Sequence, residues 1–193
     1  MNLSPPGGTI AGMTKITLLA LAALIFIAVP AAGAARSITG TDGADVLRGT
    51  AGADTIRGLS GRDRIAGGGG ADRIDAGEKD DSVSGGGGAD SIDGGTGEDV
   101  VTGGASGDRI YGRSGKDRLS GGSGNDRIAG STGGDRIAGG SGSDSLDGGK
   151  DNDEILARDG ARDTIACGSG KQDRVVADRV DRVAGDCERV SRR

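Results

Sequence analysis

A nine-residue period constrains this chain more than any other feature. From Gly40 to Leu156 an aspartate returns at every ninth place, with no insertion: Asp45, Asp54, Asp63, Asp72, Asp81, Asp90, Asp99, Asp108, Asp117, Asp126, Asp135, Asp144 and Asp153. Two residues after each comes an aliphatic side chain, from Leu47 and Ile56 through to Leu146 and Ile155. Gly stands five residues before each Asp, except at Ala76, and two before it, except at Lys79, Ser106 and Asp151. The unit is therefore G-x-x-G-x-D-x-U-x. Its second place is often Gly too, as in Gly121-Gly122-Ser123-Gly124-Asn125-Asp126-Arg127-Ile128-Ala129. A fixed period of this length describes stacked equivalent units, each able to bury its apolar face only against its neighbours.

The last three places of the unit, x-U-x, make a minimal strand. Its aliphatic points one way and its two flanks the other. The flanks are polar or small, such as Arg127 and Ala129 around Ile128. The six places before them must turn the chain, and Gly permits the positive φ that such turns need. With each repeat as half a coil, odd and even repeats build two facing parallel sheets. Residues 18 apart then become neighbours about 4.8 Å apart. The spine between the sheets is thin. The chain holds 42 Gly in 193 residues, one Phe, one Tyr and no Trp, so no large aromatic core forms. Either the chain is disordered, or backbone hydrogen bonds and a ligand supply what ordinary side-chain packing lacks. A period of nine rather than three excludes collagen.

The coil places the aspartates in two ladders. Asp45, Asp63, Asp81, Asp99, Asp117, Asp135 and Asp153 line one edge, and the other six line the opposite edge. Like charges at stacking distance repel by roughly 1 kcal/mol per pair even in water, and by more when buried. Each turn also bares Gly carbonyls beside the carboxylate. An all-oxygen set with flexible geometry suits Ca2+ better than Mg2+. Aspartate also caps turns without any ligand, but that alone explains neither the constant offset to an aliphatic nor the paired Gly.

The unit resembles the hemolysin-type, or RTX, calcium-binding nonapeptide G-G-x-G-x-D-x-U-x over residues 40–156. The resemblance implies an all-β fold, a right-handed parallel β-roll of about thirteen half-coils. It implies Ca2+ between successive turns of one edge, held by all thirteen Asp side chains and by turn carbonyls near Gly61, Gly70, Gly88, Gly97, Gly115, Gly124, Gly133 and Gly142. Seven loops on one edge and six on the other leave at most about eleven such intervals. It implies, too, a chain that orders on binding the ion. Repeat five carries Ala76 and Lys79 at Gly places, so weak or empty sites are expected there. Ser106 and Asp151 weaken the turns before Asp108 and Asp153.

The remaining segments flank this array. Lys15, the apolar run Ile16–Val29, Pro30 and Ala31-Ala32-Gly33-Ala34-Ala35 have the layout of a secretory signal peptide, with Met13 as an alternative start. Residues 1–35 are thus expected to be removed on export, leaving a roll over 36–156 and a cap over 157–193 without a transmembrane segment. Past Ala157 the period slips, with Asp163–Ile165 and Asp173–Val175 as imperfect repeats. The cap reads as strand-rich, although Val176, Val180, Val183 and Val190 also fit one helical face. Cys167 and Cys187, the only cysteines, read as one disulfide in an exported chain. A redox pair would favour C-x-x-C, and a zinc site would need more ligands.

Function classes narrow accordingly. Histidine is absent, which removes imidazole-dependent triads and zinc protease helices. No basic, aromatic-studded patch invites nucleic acid. The expectation is a secreted, non-enzymatic, calcium-binding structural or surface module. The alternative is a Ca2+-dependent binder of extracellular polysaccharide or another acidic surface ligand, through outward Arg64, Arg73, Arg109, Arg118, Arg127 and Arg136. A polysaccharide-modifying solenoid enzyme ranks below both, because no residues off the register converge on a pocket.

Overall fold

In a computed structural model, which describes residues 33–192, the chain winds into nine coils of parallel strands. Eighteen strands run from β1 (Ser37–Thr39) to β18 (Arg189–Arg192) without a helix among the described residues. Odd-numbered strands form one nine-stranded sheet and even-numbered strands the other. Every rung pairs residues one coil apart, as Ile128 with Ile110 and Leu146. The parallel β-roll and its facing sheets are as the period requires. The apolar run Ile16–Val29 and the alternative start Met13 lie outside the described residues. No helix among the described residues is long and apolar enough to cross a membrane.

Two features extend the expected thirteen half-coils. β1 precedes the first full repeat, and its Ile38 joins the buried spine. The tail also continues both sheets instead of departing from them. β15 (Thr164–Ser169) adds to the odd sheet and β16 (Arg174–Ala177) to the even sheet, followed by β17 (Arg182–Val183) and β18. The helical face drawn through its valines is not formed. Val175 is buried in the spine, whereas Val180 and Val190 are exposed. Cys167 and Cys187 are joined as a disulfide, tying β15 to the last turn before β18.

Strands also run further than three residues. From β4 (Arg64–Gly69) onward most are six long, so places one to three of the next repeat still belong to the strand. The reason is backbone bonding between coils. The place-three amide donates to the place-two carbonyl of the preceding coil, as Gly69 to Thr50 at 2.8 Å and Thr96 to Gly77 at 2.9 Å. Only places four to six remain to reverse the chain.

The interior is a single file of aliphatics, one per half-coil, with Ile56, Ile92, Ile110, Ile137 and Ile155 wholly buried. Each touches the residue above, the residue below and the facing sheet, so no neighbour can close over a gap. Ile110→Ala is expected to cost about 3 kcal/mol, within the usual range for a buried Ile truncation. Denaturant unfolding of the two proteins measures it, and a loss below about 1 kcal/mol would show a slack spine.

Candidate metal centre

Each aspartate of the ladder bonds to both neighbouring coils. Its backbone amide donates to Oδ1 of the aspartate one coil on, at 2.7–2.9 Å from Asp45→Asp63 through Asp153→Asp173. Its carbonyl accepts from the place-seven amide of that same coil, as Asp108 from Arg127 at 2.8 Å. Oδ1 of every internal rung is thereby satisfied. Oδ2 is not. In thirteen aspartates, from Asp63 to Asp153 and then Asp163 and Asp173, this oxygen is buried with no hydrogen-bond donor.

Beside each such oxygen is a space left by glycine. A Cβ on Gly67 would collide with Asp72 Oδ2 and with the Gly85 carbonyl oxygen of the next coil. The same pair of oxygens walls Gly85, Gly103, Gly112, Gly121 and Gly130. The carbonyls that face the carboxylates are thus those of place one. The place-four glycines singled out from the sequence stack closely on one another: a Cβ on Gly115 would collide with the Gly97 carbonyl oxygen, and one on Gly133 with the Gly115 oxygen. Place one was passed over because the sequence marks it only as one more position that is usually glycine.

Electrostatics follows from this packing. Burial pushes the Asp99 carboxyl up to about 7; the Asp81 amide pulls it back, and Asp117 and Asp81 raise it further. Burial does the same to Asp153, also to about 7, and to Asp72, Asp81, Asp90, Asp108, Asp135 and Asp163, to about 6. A chain of desolvated carboxyls is held short of full ionisation unless a positive charge joins them. The donor set is oxygen only, buried, orphaned and repeated each coil, which fits a hard divalent cation.

A family model described as RTX calcium-binding nonapeptide repeat (4 copies) matches residues 39–74, 67–101, 93–128, 102–136 and 129–162. The chain belongs to this family. Among curated proteins none matches it. The repeats of the RTX family bind calcium, and these oxygens suit that ion.

Not all RTX repeats here are alike. Asp45 and Asp54 lack an orphaned oxygen, because threonine at place two closes over them. Thr41 donates its amide and hydroxyl to Asp45 Oδ2 at 2.6 and 2.9 Å, and Thr50 does so to Asp54 at 2.5 and 3.0 Å. A Thr four residues before the aspartate, where later repeats have Gly, was the available signal. At the other end Asp163 and Asp173 enter the ladder, and Glu188 accepts the Asp173 amide where the next aspartate would be. In repeat five Lys79 adopts φ 77°, the glycine-like turn, and Asp81 Oδ2 stays orphaned. Ala76 is nonetheless buried at place one, bringing a methyl where most repeats have none. Cys167 and Ala157 do the same in the tail. Cys167, Asp186 and Cys187 also lie together. Both sulfurs are consumed by the disulfide, and the Asp186 carboxylate accepts the Cys167 and Gly168 amides at 3.4 and 3.0 Å.

The raised carboxyls fix a pH dependence for the calcium-free protein. Their folded pKa values lie above the ordinary 3.8, so folding favours the protonated form. That stabilisation is complete below about pH 4 and is lost as pH rises through about 6 to 7. In chelator, far-UV circular dichroism is expected to gain strand signal on acidification from pH 7.5 to 4. A strand content that stays flat or falls would overturn the assignment of these carboxyls.

Proposed function

We propose that this chain is an exported calcium-binding β-roll without enzymatic activity, serving as a structural or surface module that orders when Ca2+ arrives. The observation that carries the reading is the set of thirteen buried carboxylate oxygens without donors, stacked coil on coil. Asp63, Asp81, Asp99, Asp117, Asp135, Asp153 and Asp173 serve one edge; Asp72, Asp90, Asp108, Asp126, Asp144 and Asp163 serve the other. These give six intervals and five, eleven in all, displaced one coil toward the C-terminus from the thirteen aspartates of the perfect period. Bound Ca2+ supplies positive charge between carboxylates that otherwise repel. The protein's own part is to desolvate those oxygens, aim Oδ2 away from the inter-coil hydrogen bond, and leave room beside glycine. Asp45 and Asp54 are satisfied by threonine, so the first coil requires no ion. Intervals bordering Ala76, Ala157 and Cys167 are the weakest.

Export rests on the basic start, the apolar run Ile16–Val29 and the Ala-rich stretch before Arg36. A disulfide among the described residues agrees with an oxidising destination. The intact mass of the protein recovered from culture medium reads the cleavage point, which is expected after Ala34 or Ala35.

Calcium titration of the mature protein tests the rest. Far-UV circular dichroism is expected to pass from coil to strand, and calorimetry to count several ions. No change up to about 10 mM, beyond the weak extracellular range, would sink the reading. Asp117→Ala is expected to remove ions on its own edge only, because its neighbours in the ladder are Asp99 and Asp135.

A further inference from the structure

The odd sheet carries a polar groove away from both ladders. It crosses β5 (Arg73–Asp75), β7 (Ser91–Thr96) and β9 (Arg109–Ser114), encloses about 310 Å3, and is lined chiefly by Arg73, Asp75, Ser91, Asp93, Tyr111 and Arg113. Tyr111 is the only aromatic side chain among the described residues, and it is 38% exposed. Arg113 lies over its ring, 5.1 Å from the centroid. The same guanidinium grips Asp93 through Nε and Nη2, at 2.9 and 2.6 Å.

Arg113 occupies place two, where most later repeats have Gly, and has φ 77°. A side chain in that left-handed region costs roughly 1 kcal/mol or more, and nothing in the roll's construction requires an arginine there. What it does is clamp Asp93 and Tyr111 into one wall of the groove. On β5, in register with Ser91 and Asp93, the Arg73 guanidinium and the Asp75 carboxylate make no hydrogen bond or ion pair among the described residues. The lining thus presents two cations, two anions and one aromatic side chain, and Arg57 and Arg109 border it in register with Asp75 and Ser91.

We propose that this groove binds a neutral glycan, one or two sugar units of a longer chain. Its volume lies at the lower end of the range for small-ligand sites. Sugar hydroxyls both donate and accept, so they match Asp75 and Arg73 together. The apolar C–H face of a pyranose suits the exposed part of the Tyr111 ring, beside the Arg113 guanidinium that covers one face of it. Asp75 and Asp93 stand side by side in the groove and argue against an acidic polymer, which would meet both carboxylates. This inference rests on the β-roll being folded in Ca2+, not on the position of any single ion.

The chain has one Tyr and no Trp, so intrinsic fluorescence reports Tyr111 alone. Mature protein in saturating Ca2+ is titrated with cellohexaose, maltohexaose, mannohexaose and a hexameric uronate. Circular dichroism is recorded on each sample. At least one neutral hexamer is expected to give a saturable change and the uronate none. Arg113→Gly relieves the strained turn and is expected to fold at least as well, yet to weaken sugar binding about tenfold or more. Asp75→Asn is expected to weaken it with the fold intact, and Arg127→Ala, outside the groove, to leave it unchanged. Absence of any neutral-sugar response in a folded sample, or preference for the uronate, overturns the groove alone. Absence of strand in Ca2+ overturns the β-roll reading with it.

Discussion

The aspartate carboxylate is divided between two tasks, and the roll depends on that division. Oδ1 takes the amide of the coil before, which fixes the height of the coil. Oδ2 is left buried beside a glycine with no donor in reach. Each hydrogen bond to a charged acceptor favours the fold, and each orphaned partner opposes it. The ladder repeats both terms, so adding coils does not dilute the conflict. It can be removed by a proton on each carboxyl or by a cation shared between neighbours. The oxygens that suit a cation are therefore set by the backbone register rather than by a dedicated pocket.

The two edges answer this constraint differently. Non-glycine residues with positive φ are Leu59, Lys79, Arg113, Ser131 and Asp151 on the edge that begins with Asp45, and only Ser106 on the other. The first edge also bears Arg62, which pairs with Asp80 at 2.8 Å, while the second presents mostly Gly, Ala and Ser. All six residues hold the turn that glycine adopts elsewhere. Their neighbours above and below impose it, since strained backbone persists only where the surroundings over-determine it. Glycine makes that conformation easy but does not define it. Variation can therefore accumulate on one edge, and Arg113 shows the result: a side chain placed beside the odd sheet by a turn it does not favour.

The sheets, their register and the spine were legible because they depend on spacing alone. Ile56, Ile92 and Ile128 needed only to recur every 18 residues on one sheet. The ends were harder. Around β1 no aspartate or glycine marks the coil: Arg36 stands at the aspartate place, and its amide still reaches Asp54 Oδ1 at 2.6 Å. In the tail the ladder spans 19 residues from Asp144 to Asp163 and 20 from Asp153 to Asp173. Those insertions bulge in loops while the strands stay in register, so the period slips in sequence but not in space. The place-one carbonyls, and what Thr41 and Thr50 do with their hydroxyls, were hard to read for another reason. They concern which atoms of a residue face each other, and a repeat pattern records only which residues recur.

A spine one side chain wide also determines how the roll assembles. A coil contacts only its immediate neighbours, so its order depends on theirs, as in other one-dimensional repeat folds. On the calcium reading proposed above, a cation held between Asp99 and Asp117 would order the coils on both sides of it, and those coils would then present Asp81 and Asp135 already aligned. Binding at one interval in this way lowers the ordering cost at the next, because the conformational entropy has been spent already. Cooperativity along each edge then needs no moving element. The first coil contributes differently, since threonine satisfies Asp45 and Asp54 without any ion. The ladder accordingly has one end whose carboxylate oxygens are hydrogen-bonded within the chain, and against which the later coils can stack.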